Sequence, residues 1–311
     1  DKVSFAPSPA LPERHFFTPR EVADEVVSIG KAKCTANALQ LAVLGMLAGV
    51  YIGFGAQLCT MVTHDSTVHI GTGLAKFVGG SVFTVGLMFV VLAGAELFTG
   101  NCLILTGVLT GDCTVRGMMR NWTIVYIANF AGSILLAAIL YEGGLWKTGN
   151  YAVGAAAIRT ASAKLDLTFS EAFFRGIACN WLVCLAIWLA VGGRDTVSKI
   201  FGIYFPIMAF VASGFEHSVA NMYFVPAGLF LARNKTLVDA AGLARVIDGL
   251  TWSRFFVANL LPVTLGNIVG GALFVGACYY FAFLWKHRLP SPVGRQAGLA
   301  PGAIVKHIPR P

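Results

Sequence analysis

The sequence predicts an all-α integral membrane protein: six transmembrane helices forming two inverted three-helix repeats, with the second and fifth helices broken. Three observations carry this. Of 311 residues, 56% are hydrophobic and 12% charged, against about 25% charged in a soluble domain. Six apolar runs are each long enough to cross a hydrocarbon core about 30 Å thick; they cover 38–63, 76–109, 118–141, 170–191, 198–231 and 255–285. Two of these runs are interrupted by one polar pattern, Glu96 with Asn101 and Glu216 with Asn221. The spans that follow share another, Asn121, Asn129 and Gly132 against Asn259, Asn267 and Gly270. Matches in the same order define repeats of about 36–141 and 165–285. Three spans is an odd number, so the two copies insert with opposite orientations. Paired broken helices in such repeats mark a solute site near the membrane midplane.

Residues 1–35 read as a cytoplasmic arm. The first fifteen are Pro-rich and polar, without the pattern of a cleavable leader. Thr18-Pro19-Arg20-Glu21 is a helix start, with Thr18 as cap, Pro19 at the first helical position and Glu21 reaching back. Val22, Val26 and Ile29 follow at helical spacing. They fit an amphipathic helix on the membrane surface or a helix packed before the first span. The channel body covers 36–286 and a cytoplasmic tail 287–311. In the arms and loops, fourteen Lys and Arg lie on the side of the termini and eight on the other. The positive-inside rule then places both termini in the cytoplasm. This distribution, and not a nucleic-acid surface, accounts for the net charge of +8.

The first span is rich in Gly and Ala, which lets helices approach closely. The loop after it holds His64, Asp65 and His69, a spacing that lacks a third convincing ligand for a metal. The seven cysteines are scattered, mostly within spans, and read as small core residues. No nucleophile motif, metal cluster or nucleotide loop points to an enzyme, and no cofactor is implied.

The breaks carry the chemistry. Non-helical backbone at membrane depth is tolerated only where protein or cavity water satisfies it, and exposed N–H groups with half-helix N-termini favour anions. His217 lies in the second break, where an ionisable group at that depth marks a solute path. The alternative is a packed neutral ring bonded to backbone. Glu96 and Glu216 are expected to satisfy N–H groups of the breaks rather than touch solute.

At these residues the chain resembles the formate/nitrite transporter family. The resemblance spans about residues 20–285. It is carried by Glu96-Leu97-Phe98-Thr99-Gly100-Asn101, the run Cys179 to Ala186, Gly214 to Met222, and Asn259 to Asn267. It implies an aquaporin-like protomer and a homopentamer in the cell's inner (plasma) membrane, each protomer with its own pore for small monovalent weak-acid anions. It also implies roles. His217 is the central pore histidine with Thr99 opposite; Asn180 and Asn221 bond the solute or the loop; Lys164 is a vestibule lysine. Leu97, Phe98, Phe210, Phe83, Leu87 and Val183 form the apolar constrictions, and Glu96, Glu216 and Asn101 stabilise the loops. Formate, nitrite and hydrosulfide are the candidate anions, with protons as co-solute, and the break sequences look most like formate-type members. A neutral-solute channel of the glycerol kind is the rival class, but neither break contains Asn-Pro-Ala; Val225-Pro226-Ala227 is not one.

Overall fold

The computed structural model describes residues 16–285; the Pro-rich first fifteen residues and the 287–311 tail lie outside them. The helices are α1 (Pro19–Thr35), α2 (Ala38–Thr63), α3 (Ser66–Gly94), α4 (Gly100–Leu109), α5 (Val115–Glu142), α6 (Ala152–Leu165), α7 (Phe169–Gly192), α8 (Thr196–Ser213), α9 (Ser218–Leu231) and α10 (Trp252–Leu284). Short helical turns join α9 to α10. By length and apolarity α2, α3, α5, α7, α8 and α10 can each cross a membrane. α3 begins ten residues before the start read from the sequence and carries Lys76 within it. Lys76 is exposed, and a lone lysine keeps its head in water while its stem lies along apolar surface.

α1 begins as the residues dictate. The Thr18 N–H donates to the Glu21 carboxylate at 2.7 Å, and the Glu21 N–H returns a bond to Thr18 Oγ1 at 3.4 Å. Its apolar face (Val22, Ala23, Val26, Val27, Gly30 and Cys34) is buried against α4 and α7. The helix thus spends its apolar stripe on the bundle instead of on lipid. Its N-terminal end is tied down twice: the Phe17 N–H donates to the Gly192 carbonyl at 2.9 Å, and Arg20 donates to the Phe283 carbonyl. In the α7–α8 turn, Asp195 caps α8 through Ser198. Hydrogen bonds from the Ser198 hydroxyl and then its N–H hold the Asp195 carboxyl below the usual carboxylate range.

The tightest crossings are α2 on α5 and α7 on α10. At Gly132 of α5 a Cβ would overlap the Met46 carbonyl, and at Gly270 of α10 one would overlap the Ile177 carbonyl. Only a residue without a side chain lets these backbones meet, which explains the paired glycines of the sequence pattern.

Gly132→Ala and Gly270→Ala are each expected to lower stability by about 1–3 kcal/mol, the cost of overpacking. Gly73→Ala, where a Cβ meets open space, should leave the unfolding midpoint in detergent unchanged. Equal midpoints for all three variants would refute the close-approach account.

Candidate functional site

Helical backbone stops at Gly94 (φ +82°) and resumes at Gly100; it stops again at Gly214 (φ +76°) and resumes at Ser218. Both stops use the left-handed conformation that favours glycine. Each irregular stretch is held by an asparagine from the span that follows. Asn129 Nδ2 donates to the Glu96 and Gly45 carbonyls at 2.9 and 2.7 Å, and its Oδ1 accepts the Phe98 N–H at 3.0 Å. Asn267 Nδ2 donates to the Glu216 and Gly176 carbonyls at 3.0 and 2.8 Å, and its Oδ1 accepts the Ser218 N–H at 2.8 Å. Both asparagines are fully buried.

The glutamates do something other than the expected bonding to backbone N–H. Lys33 Nζ donates to Glu96 Oε1 at 2.7 Å and to Asn101 Oδ1 at 2.9 Å. Asn101 Nδ2 in turn donates to Glu96 Oε2 and Asn121 Oδ1, and Asn121 Nδ2 reaches the Lys33 carbonyl. Around the second break, Lys164 Nζ lies 3.0 and 3.1 Å from the two Glu216 oxygens. Asn221 Nδ2 donates to Glu216 Oε2 and Asn259 Oδ1, and Asn259 Nδ2 to the Lys164 carbonyl. The N–H groups of Glu96, Phe98, Glu216 and Ser218 take their partners from Leu44, Asn129, Arg175 and Asn267, and each carboxylate instead neutralises a lysine. A charge at this depth needs that partner.

Between the two networks the breaks meet. Thr99 Oγ1 and His217 Nε2 are 2.8 Å apart, both buried. His217 Nδ1 accepts the Ala220 N–H at 3.0 Å and so caps α9. Asn180 Nδ2 donates to the Thr99 carbonyl at 3.1 Å and to the Asn267 carbonyl at 2.7 Å, tying the first break to α10.

Three cavities stand in a row here. A central one of about 10 Å³, room for roughly one water, is lined by Ile52, Phe83, Leu87, Leu97, Val183, Ile207, Phe210 and His217. It shares Leu97 with a cavity of about 320 Å³ on the α1 side that reaches Lys33, Glu96 and Asn101. It shares Phe83, Phe210 and His217 with a cavity of about 160 Å³ on the α6 side that reaches Lys164, Glu216 and Asn221. Five of the six residues named as constrictions therefore line the neck. Phe98 does not: its ring packs edge-on to Trp122 and Tyr126, at centroid distances of 5.9 and 4.8 Å. Its neighbour Leu97 faces the cavities, and the turn of the chain at the break sends the next side chain away.

A bundle of membrane-length helices pierced by a narrow, lysine-flanked line of cavities is the architecture of a membrane transport protein. The chain belongs to the formate/nitrite transporter family. The family described as "Formate/nitrite transporter" matches residues 20–281. The chain is 42% identical over 284 residues to a probable formate transporter of Methanothermobacter thermautotrophicus, covering 86% of this chain and 98% of that protein. It is 36% identical over 269 residues to the formate channel FocA of Escherichia coli (strain K12), covering 86% and 94%. It is also similar to a solved pentameric formate channel with formate bound, at a TM-score of 0.72 and 36% identity, covering 79% of this chain and 98% of that one.

Sequence reasoning missed Lys33 as the counterpart of Lys164. A signal was present: Lys33 precedes Gly45 by the same interval as Lys164 precedes Gly176. It missed Ile52 and Ile207 because an aliphatic residue in a membrane span carries no mark of facing a cavity.

Removing a carboxylate strands a lysine, at about 3–5 kcal/mol when fully buried and less with solvent access. The Lys164–Glu216 side chains are 15% and 7% exposed, against 23% and 13% for Lys33–Glu96. Glu216→Ala is therefore expected to lower the unfolding midpoint more than Glu96→Ala, with Lys164→Met recovering part of the loss in the double variant. The reverse ranking, or no recovery, would show that the pairs do not set stability.

Proposed function

We propose that the protein is a channel for small monovalent weak-acid anions, formate first among them, with proton assistance from His217. The observation that carries this reading is the 2.8 Å contact of Thr99 with His217, whose ring lines an apolar neck between two lysine-bearing cavities. The residues proposed to meet the solute are His217, Thr99 and Lys164, with Lys33 added on the α1 side. Asn180, Asn101 and Asn221 hold the breaks. The two halves are an inverted repeat with broken second and fifth spans, supported by matching Lys–Glu–Asn–Asn networks around each break. The pentameric assembly follows the solved pentameric formate channel, the inner-membrane location is what the family resemblance implies, and cytoplasmic termini follow the charge distribution.

The lysine at each mouth is paired with a glutamate, so what it offers an entering anion is an ammonium N–H donor rather than a net positive field. An anion entering the neck loses hydration at a cost that only hydrogen-bond donors offset. Nδ1 of His217 is engaged as an acceptor, so a neutral ring carries its proton on Nε2 and donates to Thr99 Oγ1. The Thr99 hydroxyl proton is then free to turn toward the solute. Charging the ring would set an Nδ1–H against the Ala220 N–H and release the α9 cap. A neutral ring therefore lends its Nε2–H as a hydrogen bond relayed through Thr99. For a proton to pass to the anion, the ring must first take one up from water at Nδ1, giving up the Ala220 bond, and return to neutral by releasing the Nε2 proton through Thr99. Formate ranks above nitrite and hydrosulfide because characterised relatives are formate channels.

The test is flux into proteoliposomes at several pH values, with formate, nitrite, hydrosulfide and glycerol offered separately to wild type and His217→Asn. Asparagine is also a good helix cap, so this variant keeps α9 capped and loses only the reach to Thr99. Rapid pH-dependent anion flux, formate leading, is expected in the wild type, with the pH dependence lost in the variant. Glycerol flux without anion flux, unchanged by the substitution, would overturn the reading.

A further inference from the structure

We propose that Cys184 is a positioning residue for the Thr99 hydroxyl, acting through the Thr99 carbonyl; this rests on the reading that solute passes Thr99. α4 starts with a 3₁₀ turn, Gly100–Leu103. The Thr99 carbonyl therefore receives only a long 3.4 Å contact from the Cys102 N–H within its own chain segment. Two side chains of α7, one helical turn apart, complete it: Asn180 Nδ2 at 3.1 Å and the Cys184 thiol at 3.4 Å. The thiol's other acceptor, Asn180 Oδ1, is farther at 3.9 Å. Thr99, Asn180 and Cys184 are all fully buried, so water cannot substitute for either donor.

α10 presses on the clamp from behind. A Cβ at Gly271 would overlap Asn180 Nδ2 and stand 2.7 Å from Cys184 Sγ. Only a glycine at 271 leaves room for both donors beside α10.

The comparison between the two halves separates this role from packing. Gly45 corresponds to Gly176, and Asn129 to Asn267, by the carbonyls and amides they share. That register sets Gly49 opposite Asn180 and Gly53 opposite Cys184. The first half builds the same crossing with two glycines. The second half places two donors there, and both reach the residue whose hydroxyl contacts His217. Fixing the carbonyl fixes the plane of the Thr99–Gly100 peptide, and with it the direction of the Thr99 side chain.

The experiment compares formate flux in proteoliposomes for wild type, Cys184→Ala and Cys184→Ser, separating half-saturating concentration from maximal rate and recording the pH profile. Elution volume and melting temperature report folding. Cys184→Ala should raise the half-saturating formate concentration roughly two- to ten-fold, the span one net hydrogen bond supplies, and shift the pH profile. Cys184→Ser, whose hydroxyl donates to the same carbonyl, should stay near wild type. An alanine variant matching wild type, or serine and alanine impaired alike, would overturn the proposal.

If Cys184→Ala does not fold, the wild-type S–H stretching band decides, located by its loss in Cys184→Ser. A band at hydrogen-bonded frequency that moves when formate is added supports the role, and a free-thiol band indifferent to formate overturns it. A wild type without formate flux counts against the proposed function, whereas a conducting wild type equalled by Cys184→Ala counts against Cys184 alone.

Discussion

Opening a helix inside a membrane strands backbone groups that hydrocarbon cannot satisfy, and the rest of this structure answers that constraint. Asn129 and Asn267 each present a carboxamide to a break, accepting one N–H and donating to the opened carbonyl and to a neighbouring helix. A carboxamide suits the task because it donates and accepts from one rigid plane. Satisfying the backbone this way releases Glu96 and Glu216 to hold lysines at the cavity walls. The line of cavities runs where the backbone is opened, with these asparagines holding one N–H and one carbonyl of each break.

The two breaks are alike in support and unlike in what they present. The residue after each glutamate faces the neck: Leu97 from one side and His217 from the other. The hydroxyl of Thr99 comes from the first break, and the residue in its register in the second is Val219. The two breaks share their supports, and different residues at a few positions give the neck one polar group, the His217 ring, backed by Thr99. The asymmetry extends behind the neck, where Asn180 and Cys184 replace glycines.

Much of this was legible in the sequence because the features are discrete. Six apolar runs, two Glu-to-Asn intervals and two Asn–Asn–Gly patterns define the helices and their interruptions. The pairing of Thr99 with His217 came from the family resemblance, and the two side chains lie 2.8 Å apart. What stayed hidden depended on direction. Phe98 is an aromatic next to a cavity-lining leucine, and only the path of the irregular backbone turns it toward Trp122 and Tyr126. Lys33 sits on a helix that reads as a cytoplasmic arm, and its position under Glu96 depends on how α1 docks. The glutamates read as partners of backbone N–H groups because their competitors, asparagines far along the chain, become neighbours only in the fold.

The central claim is that solute crosses each chain through the neck between Leu97 and His217, and plugging that neck tests it most directly. Leu97→Trp places an indole in a cavity that holds about one water. Formate flux into proteoliposomes should fall to the level of protein-free vesicles, while elution volume and melting temperature show a folded assembly. Undiminished flux through a folded Leu97→Trp protein would contradict the account and place the path elsewhere, between chains or along a different cavity.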